Sequence, residues 1–315
     1  MNETKTATNL GSEKKFIHKS EDGKLIVPEA KNECAFHINT VDNVCSDQFT
    51  LDKMKEFING LDNASAPTKS TEIVEKAKKL TGCNTESCVI KSQEISGVLG
   101  REHTDKIIAT RFKPAGPANS TAWLNNDNID HTIHQWSKIY PKFLHIPFQM
   151  IDFDKNETHL AQVNLVDEYQ RGMRRMGCVI NTDKSTGSGI HWFCIYIDMT
   201  DDKKWTLEYF DSAGDYPKKS VHEWLNNQRA LLSAAHAGQA IEVVDVTRSN
   251  QLQRSTTECG VFSLWYILSR LNGIPYSYFS QPNATDDKMM YKFREFLFRL
   301  EKKSGGKKTS KKTKK

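Results

Sequence analysis

Apolar positions along this chain fall first into helical stretches and then into a mixed succession of helices and strands. Leu51, Met54, Phe57, Ile58 and Leu61 recur at helical spacing after Thr50, which is placed to cap the helix, and Gly60 lies near its end. A second helix is predicted from about Thr71 to Leu80, with Gly82 as its stop and Ala66-Pro67 separating the pair. Arg111 to Thr121, holding Pro114, Gly116, Pro117 and Asn119, is punctuated for a boundary between this small helical region and the rest. Beyond it, Ile129, Ile133, Trp136 and Tyr140 share one helical face. Ile190 to Asp198 and Trp205 to Asp211 are dense in β-branched and aromatic residues, and the polar Met199-Thr-Asp-Asp-Lys203 between them makes them a hairpin. Ile241 to Val246 is a further strand, Cys259 to Asn272 an apolar helix ended by Gly273 and Pro275, and Lys288 to Leu300 an amphipathic last helix. This order predicts an α+β fold with helices packed on a mixed or antiparallel sheet. The predicted divisions are a flexible lead-in over 1–30, a helical domain over 31–110, a larger domain over 111–301 and a basic tail over 302–315.

With 315 residues, 37% of them hydrophobic, the chain can build one or two cores of ordinary size, which excludes disorder throughout. Its longest apolar stretch, Val261 to Leu268 with Ser263 inside it, is too short for a membrane span, and Met1 to Gly11 is too polar for a secretory signal. The seven irregularly spaced cysteines are therefore expected to be free thiols in a reducing compartment. The formal charge of +5 changes meaning once it is located, because Lys302 to Lys315 carries eight lysines and no acid, and the remainder stands at −3. Any polyanion contact thus belongs to the tail and not to the fold. A weak DNA or RNA contact and a solubilising end are equally good readings of it.

The candidate chemistry starts from the hairpin. His191 and Asp211 are each ten positions from Asp201, the middle of the loop. In a symmetric register they face one another on one side, so the carboxylate accepts from one imidazole nitrogen and leaves the other to take a proton from a nucleophile. A surface His/Asp pair would have the same spacing. Cys259 lies in Thr256-Thr-Glu-Cys-Gly260, where a polar loop becomes an apolar helix, and the N–H groups and dipole of a first turn favour a thiolate. Gly260 is expected to keep the approach open, and Ser255 and Glu258 have capping-box spacing. The other reading of Cys259 is a small buried core residue. Gln253, six residues earlier, can aim its amide at the carbonyl oxygen under attack and, with the Cys259 N–H, form an oxyanion hole. Cys83 and Cys88 read as half a metal site or as two structural thiols, and the second is preferred because no other Cys/His pair has matching spacing.

His191-Trp192, Phe210-Asp211-Ser212 and Gln253 to Gly260, taken in that order, resemble the Ulp1/adenain family of cysteine proteases, which runs His, Asp or Asn, Gln, Cys. The likeness is closer still to the African swine fever virus type of core-polyprotein protease found in large nucleocytoplasmic DNA viruses. It covers most of the chain from about Glu33 and includes Gly82-Cys-Asn-Thr-Glu-Ser-Cys-Val-Ile90, Arg111-Phe-Lys113, Gly116-Pro117, Asn128-Ile-Asp130, Asn181-Thr-Asp183, Ser185-Thr-Gly187, Glu208-Tyr-Phe210 and Tyr291-Lys-Phe-Arg294. The resemblance implies a SUMO-protease-like catalytic domain of the papain-like superfamily behind a family-specific helical domain. It also implies cleavage of viral capsid or core precursors after Gly-Gly, in virions and at assembly sites in the host cytoplasm, with no cofactor.

Position by position, the resemblance makes His191 the general base, Asp211 its orienter, Cys259 the nucleophile and Gln253 the oxyanion donor. Asp211 departs from the swine-fever branch, which carries asparagine there, and agrees with the wider Ulp1 group. Trp192 is similar to the tryptophan that roofs a narrow Gly-Gly tunnel, and is otherwise a packing residue beside the triad. Trp123, in Trp-Leu-Asn-Asn-Asp-Asn-Ile129, resembles the start of the Ulp1 domain and is a candidate substrate-site residue, as is Asn181. Two other functions stay open: removal of ubiquitin-like proteins by the same chemistry, and a non-catalytic nucleic-acid-binding role in the virion. Ser304-Gly305-Gly306-Lys307 also places a Gly-Gly in the chain's own tail, which reads either as a site for self-cleavage after Gly306, in trans if the segment cannot reach Cys259, or as an ordinary low-complexity tail whose glycines serve flexibility.

Overall fold

The computed structural model describes residues 16–300 apart from 21–22, 30–31, 39, 41, 62–64, 157 and 249. The chain up to residue 15 and the lysine tail with Gly305-Gly306 lie outside the described residues, as do the expectations placed on them.

Two short strands, β1 (His18–Lys19) and β2 (Leu25–Ile26), pair antiparallel ahead of the helical region. That region comprises α1 (Gln48–Asn59), α2 (Ser70–Thr81), α3 (Glu86–Lys91), α4 (Gln93–Leu99) and α5 (Arg101–Arg111). The cap of α1 is Asp47 and not Thr50: the Asp47 carboxylate accepts from the Thr50 backbone N–H at 2.9 Å, and Thr50 is buried inside the helix. Gly82 ends α2 with φ +67°, in the left-handed region that favours glycine. Leu51, Met54, Ile58, Ile73, Val74, Ala77, Ile90 and Ile95 close a core of their own among these helices.

Disulfides Cys34–Cys45 and Cys83–Cys88 staple the same region, which corrects the expectation of free thiols. The folded backbone brings each pair to bridging reach, with Cα separations of 5.0 and 5.6 Å. Cys83 and Cys88, bonded to one another, are neither a metal half-site nor a pair of separate structural thiols. The free cysteines are Cys178, Cys194 and Cys259.

The rest of the described chain runs α6 (Asn126–Ile139), β3 (Phe143–His145), β4 (Gln149–Met150), α7 (His159–Gln162), α8 (Leu165–Gln170), β5 (Arg175–Asn181), β6 (Trp192–Asp198), β7 (Lys204–Phe210), α9 (Lys219–Ala235), β8 (Ala240–Asp245), α10 (Cys259–Leu271), α11 (Tyr276–Phe279) and α12 (Asp287–Leu297). The sheet order is β3-β5-β6-β7-β8, with β4 also beside β5. β5, β6 and β7 are mutually antiparallel, whereas β3, β4 and β8 run parallel to their neighbours, so the fold is α+β on a mixed sheet. Trp192, Cys194 and Tyr196 of β6 point into a core shared with α6, α10 and α12, and Phe193, Ile195 and Ile197 into a second core closed by Val221, Trp224, Leu225 and Leu232 of α9. Burial on both faces explains why β6 carries no charged residue from Trp192 to Ile197. At Gly177 of β5 a Cβ would lie 2.9 Å from Phe143 and 3.2 Å from Ile267, so glycine lets α10 rest directly on the sheet.

The elements with no predicted counterpart include β5 and α9, which build the centre of the sheet and one of its faces. In α9 the helical spacing is present in Val221, Trp224, Leu225 and Leu232, whereas Arg175–Asn181 is a short apolar run that periodicity alone cannot assign. Among the described residues no helix is long and apolar enough to cross a membrane.

Candidate active site

His191 immediately precedes β6 and Asp211 immediately follows β7, which brings both to the same end of the sheet. Their pairing differs from the symmetric expectation. The ladder aligns Cys194 with Phe210 and Asp198 with Thr206, so its continuation places Ala213, not Asp211, opposite His191. The turn sets this: the Asp201 carboxylate accepts from the N–H groups of Lys203 at 2.7 Å and Lys204 at 3.3 Å, which moves the centre of the loop from Asp201 to Asp202. A slip of two keeps both side chains on one side, and the diagonal is short enough for an imidazole and a carboxylate to meet. His191 Nε2 lies 2.7 Å from Asp211 Oδ1.

Asp211 is 1% exposed and fully engaged. Its Oδ1 also accepts from the Ala213 N–H at 2.9 Å, and its Oδ2 accepts from the Tyr209 hydroxyl at 3.1 Å. Burial and the Asp211 charge push the Tyr209 hydroxyl up, so it stays a donor to the carboxylate. Burial opposes a charged imidazole at His191, but the hydrogen bond and charge of Asp211, together with the Cys259 side chain at the ring, outweigh it and push His191 up to about 10. The ring is therefore an imidazolium at neutral pH. With Nε2 committed to Asp211, Nδ1 is the nitrogen left for the sulfur.

Cys259 is the first residue of α10, where the backbone N–H groups lack intrahelical partners. The His191 ring and the unpaired N–H groups of a helix N-terminus thus lie beside one sulfur. The other two free thiols differ. Complete burial pushes Cys178 and Cys194 well above the ordinary thiol range, which leaves them inert.

Gln253 is buried in the loop between β8 and α10, and its amide has a fixed sense. Oε1 accepts from the Ser212 hydroxyl at 2.7 Å, and Nε2 donates to the Ser255 carbonyl at 2.8 Å. One N–H of the amide is left for a developing oxyanion. Ser212 follows Asp211 directly, so the end of β7 holds the histidine's partner and the glutamine together.

Trp192, Trp123 and Asn181 meet in one cleft of about 690 Å³, together with Leu124, Phe148, Met150 and the Ser185–Gly189 loop. Trp192 is 6% exposed, donates its indole N–H to the Leu124 carbonyl at 3.2 Å and meets Phe148 edge-on. Trp123 is 52% exposed at the rim. The Asn181 amide oxygen accepts from the N–H groups of Asp183 at 2.9 Å and Ile190 at 3.0 Å, so this residue ties down the loop that forms one wall. Gly260 packs against the cleft instead of leaving an open approach: a Cβ there would lie 3.2 Å from Leu124 and 3.3 Å from Trp192. The cleft wall thus abuts the residue that follows Cys259.

A model of the Ulp1 protease family, C-terminal catalytic domain, matches residues 178–308. Over 290 residues the chain is 36% identical to the SUMO-1 cysteine protease of African swine fever virus, covering 87% of this chain and 97% of that protein. The same figures hold for the cysteine protease of a Vero-adapted strain of that virus. The crystal structure of the African swine fever virus protease superposes with a TM-score of 0.71 at 32% identity, covering 87% of this chain and 98% of the other. The chain belongs to the Ulp1 cysteine protease family. It is a cysteine protease of the African swine fever virus type.

Two side chains around this protease's site, Tyr209 and Glu258, make contacts that the sequence pattern does not assign to them. Tyr209 lies two positions before Asp211, the spacing that puts two strand residues on one side, and this signal was available. Glu258 is not part of a capping box. Its carboxylate forms a two-point pair with Arg294 of α12, at 2.6 Å to Nε and 2.9 Å to Nη2, and Ser255 donates instead to Asp287. Residues 294 and 258 are far apart in sequence, and only the packing of α12 beside α10 reveals the pair.

Proposed function

We propose that this protease is an endopeptidase that cuts viral capsid or core precursors after Gly-Gly during virion maturation, with His191, Asp211, Cys259 and Gln253 as its catalytic set. The Cys259 thiolate adds to the scissile carbonyl, and the resulting oxyanion is held by the Gln253 amide N–H and the Cys259 backbone N–H. His191 gives its proton to the leaving amine as the C–N bond breaks, which leaves a thioester. His191 then takes a proton from the water that hydrolyses the thioester, and Asp211 keeps the ring oriented and stabilises its charge. No step needs a cofactor.

The Gly-Gly specificity is supported by the likeness to the viral proteases and by a wall of Leu124 and Trp192 packed against Gly260, directly beside Cys259, past which a substrate backbone without a Cβ runs most easily. Trp192 and Trp123 then flank the substrate backbone, with Asn181 holding the loop opposite. A location in virions and at assembly sites in the host cytoplasm follows from this maturation role, and purified virions without the protein would count against it. A second reading, removal of a ubiquitin-like protein, takes its support from the name of the SUMO-1 cysteine protease to which the chain is 36% identical. Incubating wild type and Cys259→Ala with a Gly-Gly-containing structural precursor and with a SUMO conjugate tests both. Cys259-dependent cleavage of the precursor after Gly-Gly is the expected result. Release of SUMO with the precursor untouched would replace the first reading by the second.

A further inference from the structure

The loop Gln253 to Glu258 has no regular secondary structure, yet it must hold an amide to within a fraction of an ångström. Gln253 is fixed at Oε1 by Ser212 and at Nε2 by the Ser255 carbonyl, so the direction of its remaining N–H depends on where Ser255 sits. Ser255 is held from α12. Its backbone N–H donates to Asp287 Oδ2 at 3.0 Å and its hydroxyl to Asp287 Oδ1 at 2.7 Å, and the Arg254 N–H donates to the same Oδ2 at 2.8 Å. One carboxylate therefore fixes two consecutive peptide units next to the glutamine.

The start of α12 does not need this carboxylate. Asp286 is the cap, accepting from the Met289 N–H at 2.8 Å, and Asp287 is a partly exposed first-turn residue turned toward the loop. We propose that Asp287 is a positioning residue for the reaction: through Ser255 it aims the free N–H of the Gln253 amide at the oxyanion. The proposal rests on Gln253 being the oxyanion donor. It separates two duties of α12, since Arg294 on the same helix braces the residue before Cys259 while Asp287 braces the donor.

The test compares wild type, Asp287→Ala, Asp287→Asn, Gln253→Ala and Asp287→Ala/Gln253→Ala on a peptide ending in Gly-Gly joined to a fluorogenic amine. Asp287→Ala is expected to lower kcat roughly tenfold, part of the ~10²–10³ that an oxyanion donor supplies, because a misaimed donor is weakened and not removed. KM should change by less than about twofold, since the loss falls on the transition state. Alkylation of Cys259 by iodoacetamide should be unchanged, because that reaction has no oxyanion. In the Gln253→Ala background the Asp287 substitution should cost nothing further. An equal loss in both backgrounds, an unchanged kcat or a changed alkylation rate would each overturn the proposal. Should the alanine variant not fold, Asp287→Asn, which keeps one acceptor oxygen, decides by the same comparison. If Gln253→Ala alone leaves kcat intact, the oxyanion assignment itself fails and this proposal falls with it.

Discussion

Replacing Glu258 by alanine leaves a guanidinium in the interior with nothing to balance it. Glu258 is fully buried, the Arg294 side chain is 1% exposed, and their two-point contact at 2.6 and 2.9 Å is the main anchor of the charge. What remains for Arg294 is the Thr257 carbonyl at 3.3 Å and the Pro117 carbonyl at 3.4 Å, both too long to compensate. Breaking a buried pair by removing one partner costs about 3–5 kcal/mol. At about 2–4 °C per kcal/mol for chains somewhat shorter than this one, the product is roughly 6–20 °C, and the greater length of this chain puts the expected fall in Tm toward the lower end. Scanning calorimetry at pH 7 measures it, with Glu56→Ala as the control. That residue pairs with Lys53 at 2.7 Å on the surface, where solvent screening keeps the loss within about 1 kcal/mol. The double variant Glu258→Met/Arg294→Met should regain most of the lost stability, because apolar side chains of similar size replace a buried pair at little cost. If Glu258→Ala lowers Tm no more than Glu56→Ala does, the pair does not brace the start of α10 and the reasoning fails.

Three further outcomes are expected. His191 is pushed up to about 10 from an ordinary 6.5, so its contribution to stability is complete below about 6.5 and disappears as pH rises through 10; Asp211→Asn should bring both this loss and the alkaline limb of the pH–rate profile to lower pH, and unmoved profiles would refute the coupling. Trp192→Ala should lose rate yet accept alanine in place of either glycine better than wild type does, and a wild-type enzyme that cuts Ala-Ala as fast as Gly-Gly would refute the close-wall explanation. Intact-mass spectrometry should show wild type ending at Gly306, with its formal charge lowered from +5 to −1, while Cys259→Ala keeps the lysine tail; an uncut wild-type tail after long incubation would reject self-processing.

The elements around the site were legible because their sequences carry local signals. The hairpin shows in two dense runs around Met199 to Lys203, and α10 shows in the change from Thr256-Thr-Glu to an apolar stretch. The order of His191, Asp211, Gln253 and Cys259 was likewise open to reading. What stayed hidden depends on contacts across the fold. The Asp201 turn moved the register by two, a shift that the loop length does not reveal. Ser255 and Glu258, spaced like a capping box, take partners from α12 instead, because Asp287 and Arg294 are brought to them only when that helix packs against α10. The disulfides escaped for a related reason: thiol pairing follows backbone proximity in the fold, which the spacing of cysteines along the chain does not reveal.

The central claim is that Cys259, and no other thiol, is the nucleophile that meets a Gly-Gly substrate. A Gly-Gly peptide ending in a vinyl sulfone, which traps a thiolate held in the substrate position, tests it directly when followed by peptide mapping at neutral pH. The account predicts one adduct, on Cys259, formed quickly in wild type and slowly in His191→Ala, with Cys178 and Cys194 unmodified because burial keeps them protonated. An unmodified Cys259, or label on either of the other two free cysteines, would contradict it.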